Sequence, residues 1–216
     1  GEGAGLTLTN IVFDDAGKTS GTVFAQAVSD GSIDNKTCVQ DAIIASNATV
    51  PSTITLGAGA VLRNFGGMSA VRATGAAKLV MEFGSVIEDT LSGYTRSKGT
   101  DTRSVGPAGA VWLQGGSFEM KAGAAIQNIN GRAVYADGGS VSVGGTISGI
   151  TGNTAMWLGR DGTAIHLRGT GASAVLTSTA VVENISDGGS AVYCAAGGKS
   201  FEMQNGSKIK DCPQLK

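Results

Sequence analysis

Six residues recur at one place in a repeated phrase of this chain, and their side chains are rings and cations: Phe24, Arg72, Trp112, Tyr135, His166 and Tyr193. The chain has only two Trp, three Tyr and one His, and four of those six residues stand in this column. If the column lies along one face of stacked strands, neighbours are about 5 Å apart, a spacing that suits flat polar ligands packed on ring faces. Tyr94 and Trp157, the remaining Tyr and Trp, fall in two long interruptions of the repeat, residues 91–106 and 151–162. Both interruptions fall at the same point of the phrase, so both loops are expected to flank the column. They bring Tyr94, Arg96, Lys98, Asp101 and Arg103 from the first, and Trp157, Arg160 and Asp161 from the second. Loops on a rigid support are common places for binding. The candidate ligand-binding set is therefore Arg72, Trp112, Tyr135, His166, Tyr193, Tyr94, Arg96, Trp157, Arg160 and Asp161. The segment Ala155-Met156-Trp157-Leu158 has the same pattern as Ala164-Ile165-His166, so the sequence leaves either Trp157 or His166 in the column. A glycan, or an exposed segment of a protein on a host or neighbouring cell, is the ligand class such a surface fits. The alternative is that the rings and Arg72 only stabilise the stack, at roughly 0.2–1 kcal/mol per cross-strand pair.

Catalysis needs more than this column offers. Glycoside hydrolysis requires two carboxyl groups about one bond, and eliminative cleavage of acidic polysaccharides requires a base beside acidic cation ligands. The column contains no acid, and Asp137, Asp161 and Asp187 fall in turns of different repeats. No nucleophile elbow is present, and the Gly pairs lead into strands rather than a helix N-terminus, which excludes a phosphate loop. No metal-ligand spacing and no cofactor motif occur. The expectation is a chain without enzymatic activity, cofactor or metal. A net charge of −1 argues against nucleic acid, and no run of 18 apolar residues marks a membrane span.

The elements that position the column are legible as a ten-residue phrase. LGAGAVLRNF from Leu56, MEFGSVIEDT from Met81, MKAGAAIQNI from Met120, LTSTAVVENI from Leu176 and MQNGSKIKDC from Met203 align without a gap. VGGTISGI from Val143 is a shortened copy, and LTLTNI from Leu6 a leading fragment. The seventh place is Leu, Ile or Val, and the ninth is Asn or Asp. Before each phrase stands the column triplet, as in Ala110-Val111-Trp112 or Ala133-Val134-Tyr135, followed by a Gly-rich turn and an alternating segment such as Ser117-Phe118-Glu119-Met120. Three short strands per repeat follow, and strand alternation sends Val111, Phe118, Met120 and Ile126 inward and Trp112, Glu119 and Gln127 outward. By the same alternation the ninth-place Asn10, Asn64, Asn128 and Asn184 fall on the inward side, where stacked amides would satisfy one another; Asp89 and Asp211 fit that ladder poorly.

On these phrases the chain, from about Leu6 to Cys212, resembles the right-handed parallel β-helix repeats of the pectate-lyase-like superfamily, especially the Gly-rich arrays of large bacterial surface proteins. The resemblance implies an all-β, right-handed parallel β-helix solenoid. It is poor for function, because that superfamily includes polysaccharide lyases, glycoside hydrolases, tailspikes and adhesins without activity. It implies an adhesin-type domain, extracellular or on a bacterial cell surface, with a passive spacer or a polysaccharide-degrading enzyme as the other readings.

Composition fits one solenoid domain over residues 1–216: 41% hydrophobic, 15% charged, 35 Gly for turns and only three Pro. About six three-stranded coils at ~4.8 Å would make a rod of roughly 30 Å. Residues 34–47, DNKTCVQDAIIASN, carry Val39, Ala42 and Ile43 at helical spacing, which predicts a short inserted helix over 35–46 covering the side or lower edge of the core. Residues 1–5 form a tail. The chain starts without Met or a signal peptide and stops soon after a third strand, as expected of an excised piece whose neighbouring domains cover open edges. Of three cysteines, Cys194 shares an inward site with Ala73, Leu113, Ala136 and Leu167, and a Cys194–Cys212 bridge is left open.

Overall fold

A computed structural model describes residues 3–14, 39–47, 50–92, 94–96, 103–105, 109–152, 162–186, 188–195 and 197–212. Among the described residues every element is a strand, and all pairings but one are parallel. Three ladders run through the molecule. The first joins Val39–Asn47, the opening part of Gly66–Met81, the opening part of Val111–Met120, Arg132–Ala136, Thr163–Leu167 and Ser190–Cys194. The second runs from Gly5–Leu8 through Thr53–Leu56, the closing parts of the two long strands, Ser140–Val143 and Ser173–Leu176 to Ser200–Met203. The third runs from Val12–Asp14 through Val61–Arg63, Val86–Ser92, Ala125–Asn130, Thr146–Ile150 and Val181–Ile185 to Lys208–Lys210. Each strand thus pairs with its equivalent in the next repeat, the topology expected of a parallel β-solenoid.

The ladders enclose one core because each contributes its apolar parity to the same interior. Val111, Leu113, Phe118, Met120 and Ile126 are buried together with their equivalents in the layers on either side, among them Val134, Ala136, Val141, Val143 and Ile147. At the corner between the first and second ladders, Gly116 has φ 70°, and a side chain there would collide with the carbonyl oxygen of Ala77 in the preceding layer. Between the second and third ladders a four-residue turn recurs: the amides of Ala60, Ser85, Ala124, Ala180 and Ser207 donate to the carbonyls of Gly57, Glu82, Lys121, Thr177 and Gln204.

The ninth place of the phrase differs from the strict-alternation reading. Asn10, Asn64, Asp89, Asn128, Asn184 and Asp211 have φ between 49° and 62°, and are the non-glycine residues with positive φ among those described. The shortened copy carries Gly149 at the same place, with φ 65°. One left-handed residue shifts the phase of alternation, so in Ala125–Asn130 both Ile126 and Ile129 are buried while Gln127 and Asn128 between them face outward. The column is therefore exposed or half-exposed and not an interior amide ladder. Asn and Asp are there because they tolerate this conformation better than other L residues. That also removes the difficulty with Asp89 and Asp211, whose carboxylates are in water. Adjacent layers still join along the column, Asn128 Nδ2 donating to Asp89 Oδ1 at 3.1 Å.

One further expectation is corrected. Residues 39–47, read as most of a helix over 35–46, form a strand in parallel register from Val39↔Gly67 to Asn47↔Gly75. Ile43 and Ala45 pair with Val71 and Ala73 while Ile44 between them is 51% exposed, an alternation of period two. A few apolar residues fit both periods, and the adjacent strand's open edge together with β-branched Val39, Ile43 and Ile44 decides for the sheet. Residues 35–38 lie outside the described residues. The lowest layer holds Gly5–Leu8 and Val12–Asp14, with no first-ladder strand among the described residues, in keeping with the leading fragment of the repeat.

Candidate functional site

The first ladder sets the register of the ring column directly. Ile44 pairs with Arg72, Arg72 with Trp112, Trp112 with Tyr135, Tyr135 with His166, and His166 with Tyr193. His166 therefore holds the place that the sequence left open between it and Trp157. Below Arg72 the adjoining position is Ile44; Phe24, expected in the column, lies outside the described residues.

Neighbouring groups are in contact along the column. The Arg72 guanidinium carbon lies 5.1 Å from the centre of the Trp112 ring. The Tyr135 and His166 ring centres are 4.9 Å apart at 48°, and those of His166 and Tyr193 4.7 Å apart at 59°. Two arginines that the sequence reading did not single out complete the cluster. Arg132 places its guanidinium 5.2 Å from the centre of the Tyr135 ring, and Arg168 Nη1 donates to the Tyr135 hydroxyl at 3.1 Å. Arg168 stands two residues after His166, so strand alternation carried one step further places it on the same side. Arg132 is at the start of its strand, where no such signal exists.

The column was expected to present open ring faces, and most of it does not. Trp112 is 4% exposed, Tyr135 1% and His166 9%; only at Tyr193, in the last layer, does exposure reach 43%. The distinction belongs to the inner strands of this ladder. Every residue of Arg132–Ala136 and of Thr163–Leu167 is buried, whereas the second-ladder strand Ser173–Leu176 alternates half-exposed with buried residues. In these inner layers both faces of the first ladder are thus withdrawn from water, and the rings of Trp112, Tyr135 and His166 are used up in contacts with one another and with arginines.

Burial leaves two ring nitrogens of the column, Trp112 Nε1 and His166 Nδ1, without a hydrogen-bond partner among the described residues. Burial also pushes the His166 pKa down to about 3, and the positive charges of Arg132 and Arg168 push in the same direction. At neutral pH the imidazole is uncharged, and a group that holds a proton so weakly is a poor general base. Among the described residues no cluster of three or more His, Cys, Asp or Glu is arranged to hold a metal ion.

The insertions are placed only at their roots. Tyr94–Arg96 pairs antiparallel with Arg103–Val105, Tyr94 opposite Val105 and Arg96 opposite Arg103, so the first insertion contains a hairpin. The side chains of Tyr94 and Arg96, and the whole of Trp157, Arg160 and Asp161, lie outside the described residues. The root of the hairpin is fixed to the first ladder: Ser92 Oγ accepts from the Arg132 amide at 2.9 Å and donates to the Arg132 carbonyl at 2.5 Å. Both insertions leave from the end of a third-ladder strand, after Val86–Ser92 and after Thr146–Ile150.

The last layer also holds Cys194 and Cys212. Both are free thiols, and Cys194 keeps the predicted register opposite Leu167 but is exposed because no layer follows it among the described residues. Burial raises the Cys212 pKa. In comparison with known proteins, no family model, no curated protein and no solved structure matches the chain.

Proposed function

We propose that this chain is a non-catalytic β-helix module of an exported bacterial surface protein, acting as a rigid spacer that carries neighbouring parts of its chain. The observation that supports this reading best is the burial of Trp112, Tyr135 and His166. The Tyr135 and His166 rings, held 4.9 Å centre to centre inside the protein, stiffen a stack of layers; they cannot also lie against a sugar. The continuous core, which passes through every inner layer, supplies the same property from the other side of the sheet. Right-handedness, kinship with pectate-lyase-like repeats and the bacterial cell surface are carried by the repeat resemblance.

The second reading is an adhesin-type glycan contact, and one observation favours it: the column opens at its carboxy-terminal end, where Tyr193 is 43% exposed beside the covered His166 ring. A glycan-array screen of the purified protein beside Tyr193→Ala tests the pair. The spacer reading expects no glycan to bind either protein. Binding that Tyr193→Ala abolishes with its circular dichroism unchanged overturns the spacer reading and assigns the contact to the end of the column. Binding retained in Tyr193→Ala overturns it as well and assigns the contact to the 91–106 and 151–162 insertions.

A further inference from the structure

The most exposed large apolar side chain among the described residues stands in an inner layer of the stack. Phe83 is 73% exposed, in the turn that the Ser85 amide closes on the Glu82 carbonyl. The repeated phrase has Ala58, Ala122, Ser178 and Asn205 at the same place, so the turn itself asks for nothing large there. The ring leans towards the following layer, where a side chain on Gly123 would collide with it. It therefore rests between two layers, on backbone that glycine leaves bare. Beside it the outward third-ladder column of Val61, Val86, Ala125 and Thr146 is half-exposed and carries no charge. A ring left in water next to aliphatic side chains gains by burial, at about 25 cal/mol for each Å² covered.

The charges around this patch point to its occupant, and we propose that Phe83 docks side by side against a second copy of this chain, across a two-fold axis, with the two stacks antiparallel. On the turn side of the patch Glu82 and Lys121 stand one layer apart and pair at 2.9 Å. On the far side the order from layer to layer is Arg63, Glu88, Gln127, Ser148. A two-fold contact between like faces can be made in two ways. With the stacks parallel, each layer meets the same layer and the two sides exchange places, which sets Glu82 against Glu88. With the stacks antiparallel, each side meets itself with its layers reversed. An axis level with Glu82 or with Lys121 then sets like charge against like, whereas an axis midway between them sets Glu82 against Lys121 twice over. Four charges alternate around that axis. On the far side it sets Glu88 against Gln127, whose amide already donates to Glu88 within the chain at 2.8 Å, and Arg63 against Ser148. No like charges meet.

The ring selects the same axis independently of the charges. Phe83 belongs to the layer of Glu82 and leans over Gly123 in the layer of Lys121, so it lies midway between the two. The two-fold therefore brings each Phe83 ring onto its own symmetry mate, with Ala58 and Ala122 small enough on either side to let the turns approach. The surface is self-complementary, so the contact is isologous and closes at two copies.

Sedimentation equilibrium under reducing conditions should show the mass rising with concentration from 21.5 kDa towards twice that value and no further. Phe83→Asp, a change on the surface that leaves the circular dichroism spectrum as it is, should stay at 21.5 kDa over the same range. Glu82→Lys and Lys121→Glu, each alone, set like charges against each other at both contacts and should associate about tenfold more weakly. An equimolar mixture of these two variants should recover the association, because each then meets the opposite charge. Both have lost the pair within the chain, so recovery on mixing reports contact between molecules and not a repaired fold. A 21.5 kDa species at every concentration, growth beyond two copies, association undiminished in Phe83→Asp, or a mixture no better than its components would overturn the proposal. Glycan binding has no bearing on these outcomes, so they stand apart from the test of the spacer reading.

Discussion

The imidazole of His166 lies 4.9 Å from the ring of Tyr135, in a strand whose every residue is buried, with Arg132 and Arg168 both acting to keep it uncharged. This relationship couples the fold to pH. The unfolded chain binds a proton at His166 near pH 6.5, and the folded chain only near pH 3. Above pH 6.5 the imidazole is neutral in both states and contributes no pH dependence. As pH falls from 6.5 towards 3 the unfolded state binds the additional proton, so stability drops, by up to about 1.4 kcal/mol per pH unit. Urea unfolding at several pH values should show a steeper acid loss for the native protein than for His166→Phe. The carboxylate of Glu119, held low chiefly by its hydrogen bond to Lys78, also loses stability in acid, but equally in both proteins. Parallel curves would show that the ring is not buried as described.

Trp112 and Tyr135 are expected to matter for folding before they matter for binding. Truncation of a buried aromatic to Ala costs about 3–5 kcal/mol, so Trp112→Ala with Tyr135→Ala should lower the denaturation midpoint sharply or prevent folding. Tyr135→Phe keeps the ring and removes only the bond to Arg168, for about 0.5–1.5 kcal/mol. If the double variant unfolds at the native midpoint, the column is an open surface and the spacer reading loses its main support.

How much of this was legible in the sequence follows from which rule governs each position. The ten-residue phrase placed the second and third ladders, and the triplets placed Arg72, Trp112, Tyr135, His166 and Tyr193 in one column, because parallel in-register stacking puts like residues over like. Strict alternation failed at the ninth place. It assumes that all residues of a strand share one conformation, and a single left-handed residue at Asn128 is enough to move the phase. That Gly149 stands at this place in the shortened copy was the available signal, since Gly, Asn and Asp together mark a position that needs positive φ. Burial of the ring column was not legible, because alternation tells inside from outside of a sheet but not whether the outside is covered. For residues 39–47 the apolar spacing fitted both periods, and the open edge of Gly66–Met81 decided between them.

The left-handed column makes its own prediction. At φ 55° an ordinary L side chain costs about 1–2 kcal/mol, less for Asn, and glycine costs nothing sterically. Asn128→Ala should therefore destabilise by about 1 kcal/mol and Asn128→Val by more, while Asn128→Gly should be close to neutral. Asn128→Gly also loses the bond to Asp89, so a Gly variant as stable as the native protein would show that conformation rather than amide pairing selects the residue. Chemical denaturation midpoints across the three variants measure the order, and an Ala variant equal to Asn would contradict the account.

Gly116 tests the corner between the first and second ladders from the other direction. Its φ of 70° alone disfavours any side chain, and the Ala77 carbonyl occupies the space a Cβ would need. The oxygen belongs to a backbone held in the ladder on both sides, so it cannot move without breaking register between Gly66–Met81 and Val111–Met120, where the pairing already shifts between Gly115 and Ser117. Gly116→Ala should therefore cost more than the ~1–2 kcal/mol of the backbone conformation alone. Gly171 has a similar φ of 73° but open space around it, so Gly171→Ala should show only the conformational part. The difference between the two midpoints isolates the cost of close approach between layers, and equal losses would mean that the layers at this corner can separate to admit a methyl group.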